Sequence, residues 1–484
     1  MEKICSPNWP SAYKFKDNVE QFIQDRIQDG SIIEVSEADT SEISFSPISA
    51  FKKKRSEKIQ VVHDLSFPPN KSINSHIPPE NCSVKYTTVL DAVKICQKLQ
   101  NPWLAKTDLK NAYYHFPIRS QDSKFLGFKW EKEGKERSYV WRSAPYGLRS
   151  AAALFSEAGS ALRYIYVKNG ASKNSIFYLD DILVIDTSKE SCQESLNIVL
   201  ETCSRAGFEV QDKKTQGPTK ILTFLGIEID TILKQIKIDE ERLVEMRNLL
   251  QEWETKITAT KREILSILGK LNFCSQVVGP GRSFMARLIE DSKKGKYLHS
   301  KINISRSARS DIKWWSKSMK QFNGVTWFPR EIEMSSAILI FSDASDIALA
   351  GNCKLAWTIV PFTGEYKWLA EKSIQYRELY AAVLTVATFS NELRNCQTVM
   401  HIDNEAMQKA IQRKSSKVPE LMSLIRTLFF ITTIHNIQYK AVHISSGLNR
   451  DSDNLSRLRL DQYFLDNPNA NKIMSRPAKF TIDW

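Results

Sequence analysis

Two adjacent acidic residues inside an apolar segment limit, more than any other feature, how this chain can fold. Asp180 and Asp181 lie in the middle of residues 175–185, where Ile, Phe, Tyr, Leu and Val fill most of the other positions. The pattern predicts a β-hairpin whose turn presents both carboxylates at the edge of a sheet. Neighbouring carboxylates repel each other, and a bound divalent cation would offset that repulsion. The simpler alternative is a hairpin with an Asp-rich turn and no ligand.

A third acid is placed to join these two. Asp108 ends a short predicted strand that begins near residue 104, and Tyr113 follows it five residues later. Nucleotidyl transfer uses two Mg²⁺ ions about 3.5–4 Å apart, held between carboxylates. Asp108 and Asp180 could supply the bridging pair, with Asp181 in support.

A second series of acids follows in the C-terminal part of the chain. Asp343 and Asp403 each follow an apolar strand, and Glu378 lies near the start of a helix that runs through Val386. Asp453 comes after a further strand at 441–444. Each acid alone is typical of a helix N-cap. Together they could hold two Mg²⁺ ions and cut a phosphodiester with metal-activated water.

Length, charge and cysteine usage narrow the class of protein. The 484 residues predict about three structural units. Lys and Arg outnumber Asp and Glu by 68 to 55, and the net charge of +13 suits a polyanion such as nucleic acid, although a merely soluble basic protein has the same balance. The 8 cysteines lack metal-ligand spacing. With no apolar signal region and no bilayer-length run, the sequence predicts an intracellular protein, in the cytoplasm or nucleus, that is not secreted and has no membrane partner.

Periodicity and turn residues predict the organisation of the chain. We expect an amphipathic helix over 18–30, a hairpin over 48–62, an α+β sheet domain over 104–230 and helices over 239–290, the second of which begins with a capping box of Thr260 and Glu263. Cations at 52–55 and at Lys293, Lys294 and Lys296 are candidates for phosphate contacts. The predicted boundaries are 1–235, 236–290, 291–336, 337–465 and a tail at 466–484.

The order of these motifs resembles that of reverse transcriptases. Tyr178-Leu-Asp-Asp181 is similar to the YxDD box of that family, and residues 108–114 resemble motif A, in which Tyr113 takes the place of the steric gate against the ribose 2′-hydroxyl. Residues 144–150 resemble motif B, which lines the nucleotide and template. The residues that this block contributes are Tyr146, Gly147 and Arg149. Residues 207–214 resemble motif D, whose lysine is Lys214, and 224–230 resemble the primer grip.

The second acid series resembles ribonuclease H in order and spacing. His443 lies ten residues before Asp453, with Asn449 between them, as in the retroelement form. The resemblance implies that His443 could help release product, whereas an ordinary strand histidine is the simpler alternative. Three further blocks, at 64–74, 278–282 and 309–315, resemble the DIRS-like (Ngaro-type) retrotransposons. Those elements also encode a tyrosine recombinase.

The resemblance implies a fold, an activity and a set of ligands. The expected fold is α+β, a right-hand polymerase with fingers and palm at 1–235 and thumb at 236–290, followed by a connector and an α/β ribonuclease H-like domain. The expected activity is RNA-directed DNA synthesis with cleavage of the RNA strand of RNA–DNA hybrids. The implied cofactor is Mg²⁺, two ions per active site, with Mn²⁺ as a substitute. The implied partners are an RNA template, a DNA primer, RNA–DNA hybrid, dNTPs and a recombinase from the same element.

Several positions depart from the family pattern. Gln60 stands where the family has an Arg that stacks on the incoming nucleotide, Ala152 replaces a Pro of motif B, and Tyr146 replaces the commoner Phe or Gln. In the nuclease region the turn at 346–350 is altered, Ser446 replaces Gly and Ser452 replaces Ala. The alternative is therefore a degenerate or domesticated copy that binds nucleic acid without turnover. A Mg²⁺-dependent enzyme of another class, such as a cyclase, does not account for the second acid series.

Overall fold

The computed structural model describes residues 3–53, 57–328, 332 and 334–480. The chain divides into two compact units, Met1–Leu225 and Gly226–Trp484. The division falls before residue 235, where the sequence predicts the end of the palm. Within the described residues, no helix is both long enough and apolar enough to cross a membrane.

The first unit combines helices with antiparallel sheets. Its helices are α1 (Pro10–Lys14), α2 (Lys16–Gln28), α3 (Val89–Lys98), α4 (Ala151–Lys168) and α5 (Lys189–Arg205). Its strands are β1 (Ile32–Val35), β2 (Ile48–Lys52), β3 (Ile59–His63), β4 (Trp103–Asp108), β5 (Gly127–Lys132), β6 (Lys135–Trp141), β7 (Ser175–Tyr178), β8 (Asp181–Asp186), β9 (Gln216–Thr219) and β10 (Ile221–Phe224). The helix predicted over 18–30 and the hairpin predicted over 48–62 are both confirmed, as α2 and as β2 with β3.

A sheet in the order β7-β8-β4-β9 forms the centre of this unit. The run Ile182, Leu183, Val184 and Ile185 in β8 is fully buried, as its unbroken apolar pattern predicts. Helix α5 packs on the sheet, and its buried side chains include Leu196. Burying a side chain of this size stabilises the fold by about 1.5–3 kcal/mol. The core therefore fixes the end of the sheet at which β4 ends and β8 begins.

The second unit holds the remaining elements. Its helices are α6 (Glu240–Glu254), α7 (Lys261–Cys274), α8 (Ala286–Lys293), α9 (Arg306–Gln321), α10 (Ile374–Thr388), α11 (Glu405–Arg413), α12 (Pro419–Ile434), α13 (Arg450–Ser456) and α14 (Leu460–Asp466). Its strands are β11 (Ile227–Asp230), β12 (Gln235–Ile238), β13 (Thr258–Thr260), β14 (Lys301–Asn303), β15 (Val325–Trp327), β16 (Ile338–Ala344), β17 (Ala348–Cys353), β18 (Ala356–Pro361), β19 (Gln397–Ile402) and β20 (Gln438–His443). The capping box of Thr260 and Glu263 is present at the start of α7, as predicted.

The main sheet of this unit has the order β18-β17-β16-β19-β20. Strand β17 is antiparallel to both β16 and β18, whereas β19 runs parallel to β16 and β20 runs parallel to β19. Helix α10 packs on β16 and β17 and is buried from Tyr376 to Val386. Because β16 and β19 are parallel, their carboxyl ends lie at the same edge of the sheet.

The two sequence blocks at 278–282 and 309–315 pack against each other. A Cβ atom at Gly281 would overlap the ring of Trp315, so this position requires glycine. The indole of Trp315 donates to the Phe284 carbonyl at 3.2 Å. The indole of Trp314 donates to the Arg426 carbonyl at 2.9 Å. Both blocks therefore belong to the scaffold of the second unit.

A buried ion pair completes this scaffold. The Asp311 carboxylate on α9 is 1% exposed and accepts hydrogen bonds from Arg426 Nε at 3.1 Å and Nη2 at 2.7 Å. Arg287 Nη1 lies 3.3 Å from the other oxygen of the same carboxylate. This ion pair joins α12 to residues 291–336, the segment predicted as a connector, within the same unit.

Replacing Asp311 with alanine should destabilise the second unit strongly. Asp311→Ala leaves the Arg426 guanidinium buried without its acid, which costs about 3–5 kcal/mol. The measurement is the free energy of unfolding in a denaturant titration. The control is Glu405→Ala, because Glu405 pairs with Lys409 on the exposed face of α11 and such pairs contribute about 0–1 kcal/mol. Equal losses in the two variants would contradict this role of Asp311.

Candidate active sites

The predicted hairpin forms and brings three acids to one end of the central sheet of the first unit. Strands β7 and β8 pair with Tyr178 opposite Asp181, and β4 pairs with β8 so that Asp108 lies opposite Asp181. Directly opposed residues of antiparallel strands have Cβ atoms about 4.5–5.5 Å apart. The amide of Leu109 also donates to the Asp180 carbonyl at 2.8 Å. Asp108, Asp180 and Asp181 are thus neighbours, and they are named below as the palm acids.

The turn that carries Asp180 is strained. Leu179 has a φ of 48°, in the left-handed region that L-residues avoid. This conformation costs about 1–2 kcal/mol for a residue with a Cβ atom. The surrounding buried strands hold the turn in this form. Such strain is typical of functional sites.

Asp108 is held by two side chains from the motif D segment. Its carboxylate is buried and accepts a hydrogen bond from Lys214 Nζ at 2.8 Å. The amide of Gln211 donates to the other carboxylate oxygen, and the Gln211 backbone N–H donates to the Asp108 carbonyl at 2.8 Å. Lys214 was a predicted site residue, whereas nothing in the sequence identified Gln211.

Burial and mutual repulsion raise the pKa values of Asp180 and Asp181. Burial raises the pKa of Asp181 to about 6, and the charges of Asp180 and Asp108 add to the rise. Burial also raises the pKa of Asp180. Carboxylate oxygens are the donors that hard divalent cations such as Mg²⁺ bind. The palm acids supply donors of this type, although their oxygens do not all lie within 4.8 Å of one another.

Aromatic rings form a wall beside the palm acids. The Tyr113 ring lies 4.9 Å from the Tyr146 ring and 5.7 Å from the Phe155 ring, between centroids. Burial, with the charge of Asp180, raises the pKa of Tyr113 to about 12. The same causes raise the pKa of Tyr146 to about 12. Tyr86, which the sequence did not single out, contacts the Tyr178 ring at 5.4 Å.

Residues 63–77 hold the motif B residues Gly147 and Arg149 in place through close packing and hydrogen bonds. Gly147 has a φ of 116°, and a Cβ atom there would overlap the His63 carbonyl. Asn74 donates to the Gly147 carbonyl at 2.7 Å and accepts from the Arg149 N–H at 2.8 Å. The Arg149 guanidinium lies 3.3 Å from the Ile77 carbonyl. Asn74 belongs to the block at 64–74, which therefore positions motif B.

Three acids of the second series meet in the second unit. Oxygen atoms of Asp343, Glu378 and Asp403 lie within 4.8 Å of one another. Asp343 lies near the end of β16, Asp403 directly follows β19, and Glu378 faces them from α10. The parallel pairing of β16 and β19 explains why acids 60 positions apart in sequence meet.

The electrostatics of this cluster favour a bound cation. Burial, with the charges of Asp343 and Asp403, raises the pKa of Glu378 to about 9. Burial raises the pKa of Asp343 to about 6. Within the part of the chain that the structure describes, Glu378 Oε2 is buried and has no hydrogen-bond partner. An orphaned buried carboxylate oxygen beside two further acids fits a divalent cation.

Asp453 and His443 are placed differently from these three acids. The Asp453 carboxylate is paired with Arg457 Nε at 2.7 Å and lies outside the three-acid group. The exposed ring of His443 is 3.0 Å from the Asp403 carbonyl through Nε2. The cluster predicted from four acids thus consists of three, with the fourth on α13 held by an arginine. Arg457 was not predicted as a site residue.

The positions that depart from the family pattern in this region form hydrogen bonds with residues that lie next to them in the fold. In the altered turn, the Ser345 hydroxyl accepts from the amides of Ile347 and Ala348, both at 3.1 Å, and lies 2.7 Å from the Ser456 carbonyl. Ser452 Oγ lies 2.8 Å from Asn352 Oδ1. Ser446 Oγ lies 3.4 Å from the Asp403 carboxylate.

The other predicted contact residues are spread over the surface. Lys52 pairs with Glu57 at 2.6 Å and Lys294 pairs with Asp291 at 2.5 Å. Lys293 and Lys296 are exposed. Lys54 and Arg55 lie outside the described residues. Half-buried Gln60 is opposite Phe51 in the β2–β3 hairpin, and Ala152 lies in the first turn of α4.

Comparisons with known proteins give a family match for the region that contains the palm acids. Residues 51–229 match the family model "Reverse transcriptase (RNA-dependent DNA polymerase)". The Gag-Pol polyprotein of Avian reticuloendotheliosis virus is 23% identical over 195 residues, which are 40% of this chain and 16% of that protein. The Gag-Pol polyprotein of Walleye dermal sarcoma virus is 26% identical over 250 residues, which are 51% of this chain and 13% of that protein. The matches span a small part of either polyprotein.

A solved structure has a similar fold. The foamy viral protease-reverse transcriptase in complex with dsDNA matches with a TM-score of 0.50 and 17% identity, over 92% of this chain and 86% of that one. The predicted fold class, α+β with a polymerase fold, is confirmed. Residues 51–229 are therefore similar to a reverse transcriptase domain, and the chain is similar to part of retroviral Gag-Pol polyproteins.

Gly147 should tolerate no side chain. Gly147→Ala places a Cβ atom against a backbone carbonyl at a φ that L-residues rarely adopt, which should lower the free energy of unfolding by about 2–3 kcal/mol. The control is Gly269→Ala in α7, where a Cβ atom meets open space and alanine should stabilise the helix by about 0.5–1 kcal/mol. Denaturant unfolding of both variants is the measurement. A neutral Gly147→Ala would show that His63 and motif B are not in close contact.

Proposed function

We propose that this chain is an RNA-directed DNA polymerase of a retroelement that also cleaves the RNA strand of RNA–DNA hybrids. The observation that carries the proposal is the meeting of Asp108 with Asp180 and Asp181 inside a reverse transcriptase domain. The cluster of Asp343, Glu378 and Asp403 supports the second activity. We assign the chain to a DIRS-like element on the sequence blocks described above, and with that assignment a recombinase from the same element is a partner.

In the polymerase site, Asp108 and Asp180 would hold Mg²⁺ and Asp181 would support them. Two ions, or Mn²⁺ in their place, lower the pKa of the attacking 3′-hydroxyl and neutralise the leaving pyrophosphate. Tyr113 would block the ribose 2′-hydroxyl, and edge contacts with the Tyr146 and Phe155 rings support its ring in that position. Lys214, already at the acids, supplies positive charge near the pyrophosphate.

In the nuclease site, Asp343, Glu378 and Asp403 would hold the metal ions, and Asp453, which is paired with Arg457, would support them from α13. The ions would supply an activated water for hydrolysis of the phosphodiester. His443, beside Asp403 at the exposed edge of the sheet, assists release of product. Substrate selection uses the 2′-hydroxyl, the group by which proteins distinguish RNA from DNA.

The remaining assignments follow from these two sites. The ligands are an RNA template, a DNA primer, RNA–DNA hybrid and dNTPs. The net charge of +13 suits them, and the foamy viral protein of similar fold was solved with dsDNA.

The nucleotide and template are lined by Tyr146, Gly147, Arg149 and Tyr178. We retain the boundaries 1–235, 236–290, 291–336 and 337–465 for fingers and palm, thumb, connector and nuclease domain, and an intracellular location.

A second candidate function rests on Gln60 and Ala152. Gln60 cannot supply the charge of an arginine, and a chain without efficient turnover could still bind nucleic acid. Mg²⁺- or Mn²⁺-dependent primer extension on an RNA template separates the two candidates. Extension supports the polymerase, and salt-sensitive binding without extension supports the binding protein.

The two sites should be separable by mutation. Asp180→Asn should abolish primer extension and spare cleavage of the RNA strand, because each group of acids holds its own ions. Asp403→Asn should do the reverse. A labelled RNA–DNA hybrid and a primed RNA template, each incubated with both variants in Mg²⁺, provide the two measurements.

The controls for this experiment are internal, since each variant is the control for the other. A DNA duplex should resist cleavage throughout, because it lacks the 2′-hydroxyl. Loss of both activities in Asp403→Asn would contradict independent sites. A wild-type protein that extends primers and leaves the hybrid intact would show that the second cluster is catalytically silent.

Tyr113 should determine whether deoxyribonucleotides or ribonucleotides are incorporated during primer extension. Tyr113→Ala removes the wall against the 2′-hydroxyl and should increase incorporation of ribonucleotides relative to deoxyribonucleotides by about tenfold or more, a change of at least about 1.4 kcal/mol in discrimination. The measurement is the ratio of extension efficiencies with NTP and dNTP. Tyr164→Ala is the control, because Tyr164 is exposed on α4 and its ring contacts Lys168. Unchanged discrimination in Tyr113→Ala would make Tyr113 a packing residue.

A further inference from the structure

Residues 445–457 contact Asp343 and Asp403 and contain Asp453, the remaining Asp of the second acid series. Residues 445–457, which run from the end of β20 through α13, place Ser446 Oγ at 3.4 Å from Asp403. The same segment pairs Arg457 with Asp453 at 2.7 Å. Its third contact is a hydrogen bond from the Ser456 hydroxyl to the Asp343 carboxylate. The segment therefore bears on the geometry of the cluster although it supplies none of the three clustered acids.

The contact of Ser456 is the most enclosed of these. Ser456 is fully buried, and Asp343 is 4% exposed. The other Asp343 oxygen lies 3.5 Å from Asn449 Nδ2, which donates to the Ser342 carbonyl at 3.0 Å. A hydrogen bond to an ionised carboxylate is shorter and roughly twice as strong as one between neutral groups.

We propose that Ser456 is a positioning residue that fixes the Asp343 carboxylate for binding of a divalent cation. The inference rests on the proposed nuclease function and adds a residue that does not itself bind metal. Partners of this kind hold the orientation of a metal-binding carboxylate, and their loss lowers metal affinity or activity by about 10–100-fold.

The chain contains a closely matched control for Ser456. Ser452 lies four residues earlier on α13, is equally buried, and also forms a hydrogen bond through its hydroxyl. Its partner is the amide oxygen of Asn352 on β17 rather than an acid. If Ser456 were only a packing residue, Ser456→Ala and Ser452→Ala would have the same consequences.

The first measurement is cleavage of a labelled RNA–DNA hybrid as a function of Mg²⁺ concentration in the full chain. Ser456→Ala should raise the Mg²⁺ concentration for half-maximal cleavage by about tenfold or more. Ser452→Ala should leave it at the wild-type value. Ser456→Thr keeps the hydroxyl and should restore most of the wild-type metal dependence. Ser456→Cys, a weaker donor of similar size, replaces the alanine variant should that variant fail to fold.

The second measurement does not depend on catalysis. In an Asp180→Asn background, which weakens the polymerase site, added Mn²⁺ should raise the thermal unfolding temperature of the Ser452→Ala protein as it does the parent. The rise should be smaller in Ser456→Ala at the same Mn²⁺ concentration.

Each outcome has a distinct meaning. Equal metal dependence in the two alanine variants, with wild-type cleavage intact, overturns the role of Ser456 and leaves the nuclease proposal standing. A wild-type protein that neither cleaves the hybrid nor gains stability from Mn²⁺ overturns the nuclease proposal, and the role of Ser456 with it.

Discussion

Repulsion between buried carboxylates is the constraint on which the rest of this structure depends. Each unit gathers acids at the edge of a sheet, where burial and like charge raise their pKa values, to about 6 for Asp181 and about 9 for Glu378. A flexible chain would separate such groups. Here the buried strands prevent this, because moving an acid would expose apolar side chains such as Ile182 and Leu183.

The residues of the blocks at 64–74, 278–282 and 309–315 serve mainly in packing and hydrogen bonding within each unit. Asn74 fastens Gly147 through a 2.7 Å hydrogen bond, and Gly281 makes room for the indole of Trp315. Asp311 joins α9 to α12 through Arg426. None of these residues belongs to either acid cluster. A sequence block can therefore be distinctive because its side chains pack in one way only, with no chemical role of its own.

The sequence predicts those parts of the fold that depend on local pattern. The hairpin around Asp180, the strand ends at Asp108 and Asp343, and the capping box at Thr260 are all visible as periodicity or spacing over a few residues. The hydrogen bonds that tune the acids are not visible in this way. Gln211 reaches Asp108 across 103 positions, and Ser456 reaches Asp343 across 113. No local rule links such pairs, because the sheet and helix packing that joins them is set by the whole unit.

The unpaired oxygen of Glu378 is a physical argument that this cluster binds a cation. A buried carboxylate oxygen without a hydrogen-bond partner weakens folding by about 1–3 kcal/mol, since it is desolvated without compensation. A bound divalent cation removes the penalty by supplying the missing partner for that oxygen and neutralising Asp343 and Asp403 together. The altered turn at 346–350 is compatible with a bound cation, because the Ser345 hydroxyl accepts hydrogen bonds from the amides of Ile347 and Ala348. The energetics of the cluster therefore favour a bound cation over an empty group of acids.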